Sequence, residues 1–63
     1  MPSFPQVVGR TGEKAREIIL GIDPSLNVFI LAEGSMVTKD LRTNRVRIFV
    51  NANGIVENAP RTG

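Results

Sequence analysis

The 63-residue chain contains no cysteine and no histidine. That removes disulfides, thiolate metal sites, the commonest zinc ligand and the usual general base at neutral pH. It has no tryptophan or tyrosine and only three phenylalanines, so a nucleic-acid surface built on stacked bases has few platforms. No apolar run is long enough to cross a bilayer, and the opening MPSFPQVVG lacks the charged start and long apolar middle of a signal peptide. Neither sign of charge dominates: eight Lys and Arg against six Asp and Glu leave +2, too little for a dedicated polyanion binder. A domain of this size buries only about 60% of its unfolded surface, which disfavours an internal catalytic cleft. The expectation is one domain over residues 1–63 that is not an enzyme, holds no metal and needs no cofactor.

What is present falls into short elements. Pro2 and Pro5 predict an extended start with Phe4 as a hydrophobic anchor. Thr11 is a good N-cap, and Ala15, Ile18, Ile19 and Ile22 recur at the spacing of one helical face, opposite Glu13, Lys14, Arg16 and Glu17. Lys14 stands where a capping box would carry Glu, and Gly21 with Asp23-Pro24 stops the helix. Asn27–Ala32 (NVFILA) reads as a buried strand, and residues 33–44 lose all apolar periodicity and read as a long loop. Arg45–Val50 alternates, with Val46, Ile48 and Val50 on one face and Arg45 and Arg47 on the other. Asn51–Gly54 is a turn, after which residues 55–61 return as a short antiparallel edge strand containing Pro60. The order helix, strand, long loop, strand, turn, strand predicts an α+β fold with a single helix packed on one face of a small sheet.

The loop carries the chemistry. Arg45 and Arg47 project to one side at the end of their strand nearest the loop and can reach back under it. Asp40 is the only carboxylate between Gly34 and Phe49, so a charge-assisted bond from an arginine fixes the middle of the loop there. Arg47 holding Thr38 in the same way leaves Lys39, between them, pointing outward. A loop ordered before binding avoids the roughly 1–2 kcal/mol per residue that ordering costs. An extended segment with one projecting lysine suits the cleft of a trypsin-like serine protease, whose specificity pocket ends in an acidic group. The same residues admit blander readings: a solvated strand face, Asp40 as an ordinary turn residue, or a small nucleic-acid-binding module using Arg42, Arg45 and Arg47 on phosphates.

Three blocks, FPQVVGRTGEKAREIIL, GSMVTKDLRTNRVRIFVN and the closing PRTG, resemble the potato inhibitor I family of serine-protease inhibitors over nearly the whole chain. The resemblance implies two parallel central strands joined by an exposed inhibitory loop made of Gly34, Ser35, Met36, Val37, Thr38, Lys39, Asp40, Leu41 and Arg42. It implies a reactive-site bond between Lys39 and Asp40, with Lys39 as the primary specificity residue. Arg45 and Arg47 then match the family's supporting arginines, paired with Asp40 and Thr38. The implied partners are serine proteases, trypsin-like from Lys39, with subtilisin-like and chymotrypsin-like enzymes also open, and neither nucleic acid nor membrane. A monomer, an extracellular or vacuolar setting and a part in the response to wounding follow from the same resemblance. Phe4 stands where the family frequently has tryptophan, Ala32 where proline is frequent, and Thr62 where an aliphatic residue is usual.

Overall fold

The computed structural model describes residues 2–63. Helix α1 (Gly12–Ile22) begins where the sequence predicts: Thr11 is extended, and its hydroxyl accepts the Lys14 N–H at 3.2 Å, satisfying one of the donors that a first turn leaves free. At the other end Asp23 Oδ1 accepts from the Ser25 N–H at 3.0 Å and the Ser25 hydroxyl at 2.6 Å. This turn across Pro24 ends the helix, and the two bonds hold the Asp23 carboxyl below its ordinary pKa.

Strands β1 (Asn27–Ala32) and β2 (Arg45–Val50) pair in parallel, with Asn27 opposite Arg45 and Ala32 opposite Val50. Parallel neighbours need a long connection, and here the loop of residues 33–44 supplies it. Val46 and Ile48 of β2 are fully buried against α1, where Ala15 and Ile19 meet them, and Phe4, Val7 and Val56 complete the core. Gly12 is buried at the start of α1, and a Cβ there would stand 2.8 Å from Ile30 Cγ2 and 3.1 Å from Val50 Cγ1. Its missing side chain lets the helix start lie close on both strands. The molecule is only 15 Å through its thinnest direction, which accommodates one helix on one sheet and leaves the other sheet face to the loop.

Four expectations change. Pro5–Val7 is a 3₁₀ turn, not extended chain; the fixed φ of proline suits the first position of such a turn, and the turn drives Val7 into the core. Strand β1 is not buried on both faces: Val28 and Ile30 lean on the core, whereas Phe29 is 51% exposed on the loop side. Ile22 is 54% exposed, being the last helical residue, where the chain departs towards β1. Finally, residues 55–61 form no continuous strand. They make isolated antiparallel bridges, Val50 with Val56, Thr11 with Ile55 and Ser3 with Arg61, because the Val56 N–H and C=O bond the main chain at Arg10 and Gly9. No helix among the described residues is long and apolar enough to cross a membrane.

Candidate functional site

The loop leaves β1 through a tight turn. Glu33 N–H donates to Val50 O at 2.9 Å as the last main-chain rung between the strands, and Ser35 then donates to Ala32 O from its N–H at 3.1 Å and its hydroxyl at 2.6 Å. Gly34, third in this turn, has φ of +80°, a conformation that glycine adopts without steric cost. Beyond Ser35 the main chain of Met36, Val37, Lys39 and Leu41 makes no hydrogen bond among the described residues. Two open clefts of about 650 and 580 Å³ part the loop from the sheet, one lined by Phe29, Thr38, Asp40 and Arg45, the other by Val37, Leu41, Arg47 and Phe49. The loop thus stands off the sheet across open clefts.

Arginine struts hold it instead. Arg47 donates from Nη1 to Thr38 O at 3.0 Å and from Nη2 to Thr38 Oγ1 at 2.8 Å, so the planar fork of one guanidinium grips both acceptors of one residue. Arg45 donates from Nη2 to Asp40 O at 2.8 Å, from Nη1 to Asp40 Oδ2 at 3.4 Å and from Nε to the Gly63 main-chain oxygen at 3.0 Å. Gly63 N–H returns a bond to Arg45 O at 2.9 Å. Gly63 thereby meets the arginine cluster through Arg45. Both struts reach loop residues from β2 because the two-residue period of a strand puts them on the face opposite Val46 and Ile48.

Arg42 has a role the sequence did not suggest. Its Nε donates to Asp40 Oδ2 at 2.8 Å, closer than the Arg45 contact to the same oxygen. With that guanidinium first, and the Thr38 hydroxyl and Arg45 adding to it, the Asp40 carboxyl is held well below the ordinary carboxylate range. The only signal in the sequence was an Asp and an Arg two residues apart in a turn-prone stretch. Lys39 sits between the two gripped residues, exposed, with no hydrogen bond or ion pair among the described residues. Met36 is fully exposed and Leu41 is 67% exposed on either side of it. Gly34 lies at the turn, Ser35 is half-buried, and every residue from Met36 to Asn44 is exposed. No group of three or more potential metal ligands occurs among the described residues.

Comparison with known proteins gives this geometry its context. The family model described as the Potato inhibitor I family matches residues 2–63. The chain belongs to the potato inhibitor I family. An inhibitor of trypsin and Hageman factor from Cucurbita maxima is 49% identical over 61 residues, spanning 97% of this chain and 90% of that protein. Eglin C from Hirudo medicinalis is 47% identical over 64 residues, spanning 100% and 91%. The crystal structure of bitter gourd trypsin inhibitor superposes with a TM-score of 0.93 at 41% identity, covering 100% of this chain and 93% of that one. This potato inhibitor I member is accordingly of an inhibitor family, not an enzyme family. The nucleic-acid alternative finds no support: Arg42, Arg45 and Arg47 each donate to an oxygen of the loop.

Proposed function

We propose that this chain inhibits trypsin-like serine endopeptidases by offering the Lys39–Asp40 bond as a substrate that the protease cannot carry through to hydrolysis. The observation that carries the proposal is the grip on both sides of that bond, Arg47 on Thr38 and Arg45 with Arg42 on Asp40, while Lys39 stays free for a specificity pocket. The family relative named for trypsin and Hageman factor supports a trypsin-like target. A subtilisin-like protease is the second target class that the exposed, extended loop suits.

The chemistry follows from where a cut would divide the chain. Attack by the protease serine on the Lys39 carbonyl gives an acyl-enzyme at Lys39 and frees the amino group of Asp40. Residues 1–39 would then carry the acyl end and residues 40–63 the amine. Arg47 belongs to the second piece but holds Thr38 of the first, and Arg45 holds Asp40 beside it. Both reactants therefore remain anchored to β2, itself paired along its length with β1 of the other piece. Groups held this way reach effective molarities of about 10⁵–10⁸ M, so the amine returns to the ester faster than water replaces it. Interfaces of this kind bury about 1,600 Å² in total, and the exposed loop with its shoulders is the surface offered for it. One chain acts alone on one protease, with no cofactor.

The test is a titration of trypsin, chymotrypsin and subtilisin with the purified protein, followed by mass spectrometry for hydrolysis between Lys39 and Asp40. Tight trypsin inhibition with slow cleavage is expected. Inhibition of subtilisin alone would move the target, and rapid cutting after Lys39 would make the loop a substrate and refute the proposal.

A further inference from the structure

The two halves of the loop are held unequally. After Lys39, Asp40 is gripped by Arg42 and Arg45, and Arg45 N–H closes the following turn on Arg42 O at 3.3 Å. Before Lys39 only Thr38 is gripped, and Met36 and Val37 hang without a main-chain bond among the described residues. The segment leading to the acyl side is thus suspended between Thr38 and whatever fixes its other end. That other fixed point is Ser35, the one half-buried residue between Ala32 and Arg45, whose hydroxyl meets Ala32 O at 2.6 Å and shares that acceptor with its own N–H.

The acceptor belongs to the peptide unit whose N–H, on Glu33, makes the last rung to Val50 O at 2.9 Å, so the Ser35 hydroxyl ties the loop to a fixed end of β1. Asn27 and Glu33 turn their N–H groups towards the β2 side, bonding Asn44 O and Val50 O. By the alternation of a strand the Ala32 N–H faces away from β2, so the turn beyond it is closed by the two Ser35 bonds. We propose that Ser35 is a positioning residue for inhibition, its hydroxyl fixing the angle at which the acyl-side half of the loop leaves the sheet. This rests on Lys39–Asp40 being the reactive bond. With the hydroxyl removed, the turn keeps only the longer main-chain bond, and freedom at Ser35 passes through two unbonded residues to Thr38 and the Lys39 carbonyl.

The experiment compares the unaltered protein, Ser35→Ala, Ser35→Thr and the double variant Ala32→Pro with Ser35→Ala. Each is read for its trypsin or subtilisin inhibition constant, its rate of hydrolysis at Lys39–Asp40 and its Tm. Loss of one hydrogen bond's net contribution predicts an inhibition constant raised about threefold to tenfold in Ser35→Ala, with faster hydrolysis and a Tm moved by far less than a core substitution moves it. Ser35→Thr keeps a hydroxyl and restores both functional readouts. Proline at position 32 interrupts no bond to β2 and restrains the turn from its other side, so the double variant recovers part of the loss without any hydroxyl. Equal weakening by Ser35→Ala and Ser35→Thr, or an unchanged inhibition constant and cleavage rate in Ser35→Ala, overturns the assignment of Ser35 alone. Absence of inhibition by the unaltered protein overturns the reactive-bond reading and the Ser35 role with it.

Discussion

Replacing Arg47 with alanine separates inhibition from folding. Arg47 makes both bonds that fix Thr38, at 3.0 and 2.8 Å, and it is the strut that would still join the two chain pieces after cleavage between Lys39 and Asp40. Each bond pairs a charged donor with a neutral acceptor on an exposed loop, so about 1–1.5 kcal/mol apiece is appropriate. Together they come to about 2–3 kcal/mol, which the bound loop must recover when a protease orders it without the strut. The inhibition constant should therefore rise about 30- to 150-fold. In the free protein the same loss is offset by conformational freedom regained in the loop, and the buried neighbours Val46 and Ile48 are untouched. Tm should accordingly fall by no more than about 5 °C. Stopped-time inhibition assays, chromatography of the cleaved product and a thermal melt give the three numbers. Arg47→Lys, whose ammonium cannot fork onto two acceptors, should fall between. Arg45→Ala should also convert the inhibitor partly into a substrate, with a larger drop in Tm because the Gly63 contact goes too. An inhibition constant within about twofold of the unaltered protein and an unchanged cleavage rate for Arg47→Ala would refute the strut account.

The Asp40 carboxyl is depressed from an ordinary 3.8, chiefly by Arg42. A depressed folded-state value means that its contribution to loop order is complete above the ordinary value and is lost only as pH falls through the lower, folded one. An NMR titration should find Asp40 still ionised where free carboxylates have protonated, and Arg42→Ala should raise its midpoint more than Arg45→Ala does; the reverse order would show that Arg45 dominates. Thr62 is 3% exposed with a hydroxyl that has no hydrogen-bond partner among the described residues. Thr62→Val removes a desolvation cost of about 1–3 kcal/mol and should raise Tm by at least about 4 °C, with inhibition unchanged; a lower Tm would mean the hydroxyl is satisfied in solution. Met36 is fully exposed three residues before Lys39, so dilute peroxide should convert its thioether to the sulfoxide in the free protein and be slowed by bound protease. Equal oxidation with and without protease would put Met36 outside the interface.

Elements whose residues act locally were legible. Thr11 caps a helix start because its side chain answers the N–H three residues on, and Arg45 and Arg47 announce their common side because a strand alternates. What depended on distant chain was not. Nothing within NVFILA states that its neighbour runs parallel, and that direction came from family resemblance. Val7 is buried and Phe29 half-exposed for reasons set by which surfaces happen to face α1 and the loop. The closing segment carries residues fit for a strand, yet its bonding is divided: Ile55 O accepts from Asn51 N–H beside β2, whereas Val56 turns both its main-chain groups to Gly9 and Arg10. Arg42 escaped because bonds across two residues in a turn follow the backbone path, which composition does not specify.

A chain without cysteine has no covalent means of keeping a cut loop together, and its core here is small. Both tasks fall to one six-residue strand. The inward residues Val46 and Ile48 lock β2 to α1, while the outward residues Arg45 and Arg47 reach Asp40 and Thr38. Because the two sets alternate along β2, the packing that fixes the core also fixes the height and angle of the struts. Slipping the strand by one residue would put a guanidinium in the core and a valine under the loop, at a desolvation cost of several kcal/mol for the charge. The apolar half of β2 thereby enforces the register that the loop requires, which explains how a chain with so little core can keep both sides of Lys39–Asp40 in place.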